Sequence, residues 1–186
     1  ASLTISAGKT LNIEDTPFVT VSGSIVNNGS VQLTAGGGQG MFFSPGSTAN
    51  NAGTLTIGNT FNWSGGTISG TGTTQIAQGA NLNISTGVTI NGSYTLANAG
   101  TINWSRSNNI NLQNGGVISN TGLFSAQSNQ ALVSAGGGAS FINTGSFIKV
   151  SGGGSTDISI PVTSNAGTFT ADTGELRFNS TNSFNS

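Results

Sequence analysis

The chain has no cysteine and no histidine, and only nine of its 186 residues carry a formal charge. Without cysteine, zinc fingers, disulfide frameworks and thiol nucleophiles are excluded, and without histidine so are Ser-His-Asp arrangements. Charged residues make up 5%, where an ordinary soluble domain has about a quarter. A net charge of −1 with 34% hydrophobic residues excludes disorder driven by charge. The four basic residues, Lys9, Arg106, Lys149 and Arg177, are too dispersed to form the basic stripe that a nucleic-acid partner needs. No apolar run approaches the roughly 18 residues of a spanning helix, so no membrane insertion is expected. The chain starts at Ala1 without an initiator Met or a signal segment, and its last residues, RFNSTNSFNS, trail off. It reads as one domain over 1–186, trimmed from a longer repeat protein. What is abundant is equally telling. Gly, Ser, Thr and Asn together account for 104 residues, all poor helix formers, which leaves an all-β protein or a low-complexity coil.

Internal repetition decides between the two. An Asn-x-Gly motif recurs in seven frames, at Gly29, Gly53, Gly72, Gly100, Gly122, Gly145 and Gly167. The mean interval is about 23 residues, within the range of solenoid repeats. Asn27, Asn51, Asn98, Asn120, Asn143 and Asn165 stand two residues before six of these glycines. Apolar residues fall two and four positions after the glycine, as in Leu55/Ile57, Ile102/Trp104 and Phe147/Lys149, the last pair ending on a lysine. Small hydroxyl residues such as Thr54, Thr73 and Thr101 lie just ahead of them. Strand side chains alternate with period two, so each repeat holds a strand with an apolar inside and a hydroxyl outside.

Further apolar pairs (Phe61/Trp63, Leu82/Ile84, Ile110/Leu112) and Gly-rich corners (Gly65-Gly66, Gly136–Gly138) complete each repeat. Three short strands and three turns per repeat make one coil of a parallel β-helix, and the chain is expected to hold about eight coils. Stacking aligns equivalent residues in columns. Phe124, Phe147 and Phe169 should form one column, and the asparagines a hydrogen-bonded turn ladder. Like charges stacked at this spacing repel, which accounts for the scarcity of charge.

Candidate sites are few. Asn-x-Ser/Thr triplets begin at Asn28, Asn62, Asn83, Asn91, Asn103 and Asn179, a number that the composition alone supplies. Aligning Ile158/Ile160 with Leu176/Phe178 sets Asp157 over Glu175, with Arg177 nearby; two carboxylates that close suit a retaining glycosidase. Asp157, Asp172 and Glu175 also offer oxygen ligands for calcium, the sole cofactor the residues suggest. Glu14-Asp15, beside Pro17, reads as a solvated loop.

Trp63 and Trp104 are sugar-stacking candidates whose alternation also fits the core. The interval from Gly72 to Gly100 is the longest between successive motifs. It implies a bulging loop or extra strand near Thr86–Leu96, which carries Tyr94 as a further ligand-binding candidate. Outward threonines raise an ice-binding reading, but only Thr54/Thr56 and Thr168/Thr170 supply both members of a paired row.

The strings NAGTLTIG, GGTISGTGTTQI, NAGTINWS, GGVISNTGLFSA and NTGSFIKV resemble the repeats of bacterial surface β-solenoid proteins. These are haemagglutinin- and autotransporter-type adhesin passengers and secreted β-strand-repeat proteins. The resemblance implies a right-handed parallel β-helix, exported across a bacterial envelope, serving as stalk, adhesin or matrix component. The clustered acids with Lys or Arg in a groove, typical of pectate-lyase-type β-helices, are missing. The functional expectation is therefore a non-catalytic, secreted or cell-surface adhesive rod. Its partners would be further copies meeting end to end, or a host-surface glycan. A carbohydrate-active β-helix using Asp157 and Glu175 is the alternative.

Overall fold

Short apolar–hydroxyl alternations make strands of about four residues, and the corners between them force the chain round before a strand can lengthen. The computed structural model describes residues 2–14, 18–33, 40–106 and 108–185; Asp15 and Pro17 of the solvated-loop expectation lie outside them. The described residues form 26 strands of three to five residues and no helix. The strands make three parallel sheets of nine, nine and eight members, each strand pairing with its equivalents one coil before and after. One coil runs Thr48–Asn51, Thr54–Ile57, Thr60–Trp63, contributing a strand to a first, second and third face in turn. The chain is thus a β-solenoid of about eight coils with three strands per coil. Equivalent positions in successive coils, such as Asn98 and Asn120, lie about 22 residues apart.

The seven-frame alignment does not survive intact. Gly29, Gly53 and Gly72 lead into second-face strands, whereas Gly100, Gly122, Gly145 and Gly167 lead into third-face strands. Between them the motif moves one corner round the coil. The long interval from Gly72 to Gly100 is one coil, Thr73 pairing with Thr95, plus the step from Thr95 to the third-face strand at Thr101. No bulging loop or extra strand lies there: Val88–Asn91 and Thr95–Asn98 are ordinary rungs of the first and second faces.

The columns divide accordingly. Leu55, Thr74, Leu96 and Ile118 stack inside the second face. Phe61, Leu82, Ile102, Phe124, Phe147 and Phe169 stack inside the third. The phenylalanine column forms, with ring centroids 5.0 Å apart for Phe124–Phe147 and 5.7 Å for Phe147–Phe169. Each such side chain contributes about 1.5–3 kcal/mol on burial, which offsets the ordering entropy of a glycine-rich chain.

Why Asn is followed by x-Gly becomes plain at the corners. A Cβ on Gly53 would fall 1.9 Å from the carbonyl oxygen of Gly29, and one on Gly122 2.2 Å from that of Gly100. The backbones of successive coils touch there, so only glycine fits. The asparagine two residues earlier turns its amide inward and binds the next coil.

Candidate functional site

The asparagine ladder exists in two pieces. At the corner between first and second faces, Asn27 Nδ2 donates to Asn51 Oδ1 at 2.9 Å and to the Thr54 carbonyl at 3.1 Å. Between second and third faces, Asn98 donates to Asn120 Oδ1 at 2.7 Å, and Asn120 to Asn143 Oδ1 at 2.8 Å. Asn98, Asn120 and Asn143 each donate also to the carbonyl just after the next coil's glycine: Leu123, Ser146 and Thr168. All five of these asparagines are buried. Asn165 departs from the expectation. Asn143 pairs with Ser164, and one extra corner residue leaves Asn165 exposed, where it accepts from Asn185 Nδ2 at 2.9 Å.

Tyr94 is 1% exposed, so its ring cannot meet a ligand from outside. Gly70 and Gly92 occupy the first ladder's column after Asn51, and into the space they leave Tyr94 sends its hydroxyl. It accepts from Asn51 Nδ2 at 2.7 Å and shares a hydrogen bond with Thr74 Oγ1 at 2.5 Å. Burial pushes the phenol up to about 12, against the partial relief of the Thr74 and Asn51 bonds. Trp63 and Trp104 are 0% exposed and belong to the core, where Trp63 stacks on Phe61 and Trp104 Nε1 donates to the Asn108 carbonyl. Neither can stack on a sugar from solution.

The acids are also placed differently. Ser155 pairs with Glu175 and Asp157 with Arg177, a shift of two residues from the alignment on apolar pairs. Asp157 therefore sits beside a guanidinium rather than a second carboxylate. Glu175 forms a 2.7 Å ion pair with Arg177, which holds its carboxyl below the ordinary value through hydrogen bonding. Asp172 lies exposed at the preceding corner. No group of three acidic residues among the described residues is arranged to hold a metal ion.

Two features gain their geometry only in the structure. The first is the outer face of the central coils. No charged residue occurs between Asp15 and Arg106. In the three coils from Thr48 to Trp104 the first outward position is threonine in eight of nine strands. Thr48, Thr67 and Thr89 stack on the first face, and Thr54, Thr73 and Thr95 on the second. On the third face, Asn83 donates to Asn62 at 2.8 Å, Asn103 to Asn83 at 3.0 Å, and Gln127 to Asn103 at 3.3 Å. Three of the Asn-x-Ser triplets are thus rungs of an outer ladder, their amides already engaged. The second outward row is mixed (Asn50, Ser69 and Asn91; Thr56, Gln75 and Ala97), so neither face carries the two threonine rows an ice lattice asks for.

The second feature is Lys149, which ends a third-face strand pointing inward and is 0% exposed. Its Nζ donates to the carbonyls of Ser151 at 2.8 Å and Ser128 at 3.4 Å, and to Asn129 Oδ1 at 3.0 Å. Burial lowers the amine from its ordinary value. Its inward column is legible in the sequence, but two of the three oxygens come from a corner one coil earlier. Comparison with protein-family models, with curated proteins and with solved structures finds no match.

Proposed function

We propose that this chain is a non-catalytic structural or adhesive module of a bacterial surface or secreted protein, acting by multivalent display. The observation that supports this most is the outer face of the central coils: uncharged, periodic, and built of hydroxyls and amides on all three sides. Each such group makes a weak hydrogen bond, and many held at fixed spacing on one rigid frame bind cooperatively by effective concentration. The partners that match are neutral and repetitive: a glycan-bearing surface, or the flank or end of another rod. A charged polymer would find little to pair with. The carbohydrate-active alternative rests on Asp157 stacked over Glu175, and in the described residues Asp157 meets Arg177 instead.

The test compares free chain with chain coupled densely to beads, on a panel of neutral and acidic polysaccharides and on immobilised chain. The reading requires binding that is strong only in the multivalent form and little changed by raised salt, because no ion pairs carry it. Release of sugar ends from any polysaccharide, abolished by Asp157→Asn with Glu175→Gln, would replace it with the enzymatic reading. Binding that collapses in salt would remove the neutral-surface basis.

A further inference from the structure

Lys149 takes no part in outer display: it is fully buried, and among the described residues no carboxylate pairs with it. The Asn129 carboxamide oxygen accepts from Lys149 Nζ at 3.0 Å and from the Gly154 backbone N–H at 3.1 Å. Because a C=O bond is about 1.2 Å long, Asn129 Cγ lies no more than about 4.2 Å from Nζ. The Gly154 N–H, which stays on that oxygen when Nζ turns its lone pair to Cγ, draws electron density from Cγ and makes it more electrophilic. Asn129 itself lies at the exposed edge of the corner, whose neighbouring residues are tied down. Ser151 Oγ bonds the Gln127 carbonyl, and Gln130 Nε2 bonds the Trp104 carbonyl at 2.9 Å. A fixed amine beside a polarised carboxamide has the proximity that makes intramolecular acyl transfer feasible.

We propose that Lys149 and Asn129 join in an intramolecular amide cross-link between adjacent coils. The Nζ lone pair attacks Asn129 Cγ, and the Gly154 N–H steadies the oxyanion. The Cγ–Nδ2 bond then breaks, and the proton released by Nζ leaves with Nδ2 as ammonia. The product is a secondary amide plus one ammonia, with no oxidant or reductant needed. Burial favours the neutral amine that must attack. With no carboxylate beside the pair to relay protons, the bond forms slowly, so aged protein is the sample to test. The cross-link stands apart from the adhesive reading, although a stapled coil suits a rod that bears load.

Trypsin provides the test, because it does not cut after an acylated lysine and the chain has only four basic residues. Aged protein is denatured, digested and weighed. The expected result is an uncut 107–177 fragment lighter by one ammonia. In Asn129→Ala the same region should be cut after Lys149 into two fragments of full mass. The digest is run unfolded, so the control holds even if that variant folds poorly. Cleavage after Lys149 in the unaltered chain overturns the proposal. Ammonia loss with that cleavage retained overturns it too, since it would mark a succinimide elsewhere, for instance at Asn114-Gly115.

Discussion

The two buried amide ladders use one unit and end in different ways. The first, Asn27 to Asn51, loses its next rung because Gly70 has no side chain, and Tyr94 reaches over the gap from two coils away. The second, Asn98 to Asn143, runs one rung longer and stops at Ser164, whose hydroxyl turns to the Gly167 carbonyl instead. Their starts differ as well. Asn27 Oδ1 accepts the Gly29 N–H, whereas Asn98 Oδ1 is buried without a donor because Ile76 stands one coil earlier. A ladder thus depends less on any one asparagine than on having a donor or acceptor above and below it.

Asn120 has neighbours on both sides, so Asn120→Ala leaves Asn98 Nδ2 and Asn143 Oδ1 each short of a partner in the interior. Urea unfolding should show a loss of about 3–4 kcal/mol, the cost of several buried polar groups left unpaired. A loss below about 1 kcal/mol would mean that the interior ladder is incidental.

Alkali should undo the first ladder's end. Tyr94 titrates near 10.0 when unfolded and about 12 when folded. The folded state therefore holds its proton more tightly, and the contribution is complete below pH 10 and is lost as pH rises from 10 to 12. Two pKa units correspond to about 3 kcal/mol. Tyr94 is the only tyrosine, so tyrosinate absorbance reads it directly: near 12 in buffer and near 10 in urea. Equal midpoints in the two solvents would show that the phenol is not inside.

Tyr94→Phe keeps the ring and removes the hydroxyl, leaving Asn51 Nδ2 with the Thr73 carbonyl alone. About 1–2 kcal/mol should be lost, less than at Asn120 because only the hydroxyl's bonds to Asn51 and Thr74 go, whereas Asn120 bonds both neighbouring asparagines and two carbonyls. Asn165→Ala, on the exposed side of the same corner that ends the second ladder, should change stability by less than about 0.5 kcal/mol. If Asn165 proved as sensitive as Asn120, the register that puts Ser164 inside would be wrong.

Much of the frame can be read in the chain itself. Stacking makes every coil resemble its neighbours, so alternation, strand length, coil count and the phenylalanine column all leave a periodic trace. The corner change leaves none: Asn-x-Gly serves equally at two corners, and a motif search cannot tell which one it has met. That ambiguity turned an ordinary pair of rungs into an apparent loop around Tyr94 and split one imagined ladder into two. The Asp157–Glu175 alignment failed for a related reason. Apolar pairs repeat every two residues, so matching pairs leaves the register uncertain by two. Lys149 was visible as an inward residue, but two of the oxygens that surround it come from another coil.

Composition and period by themselves determined an uncharged, all-β stack with apolar columns inside and hydroxyls and amides outside. Those follow from local alternation and from the penalty of stacking like charges at strand spacing. Only the tertiary structure decided which corner each asparagine occupies, that Tyr94, Trp63 and Trp104 face inward, and that threonines line up in columns on the first and second faces. These depend on register between successive coils, whose partners are far apart along the chain. Register is set by how many residues each corner takes, and a single extra one moves a buried asparagine's place to a serine.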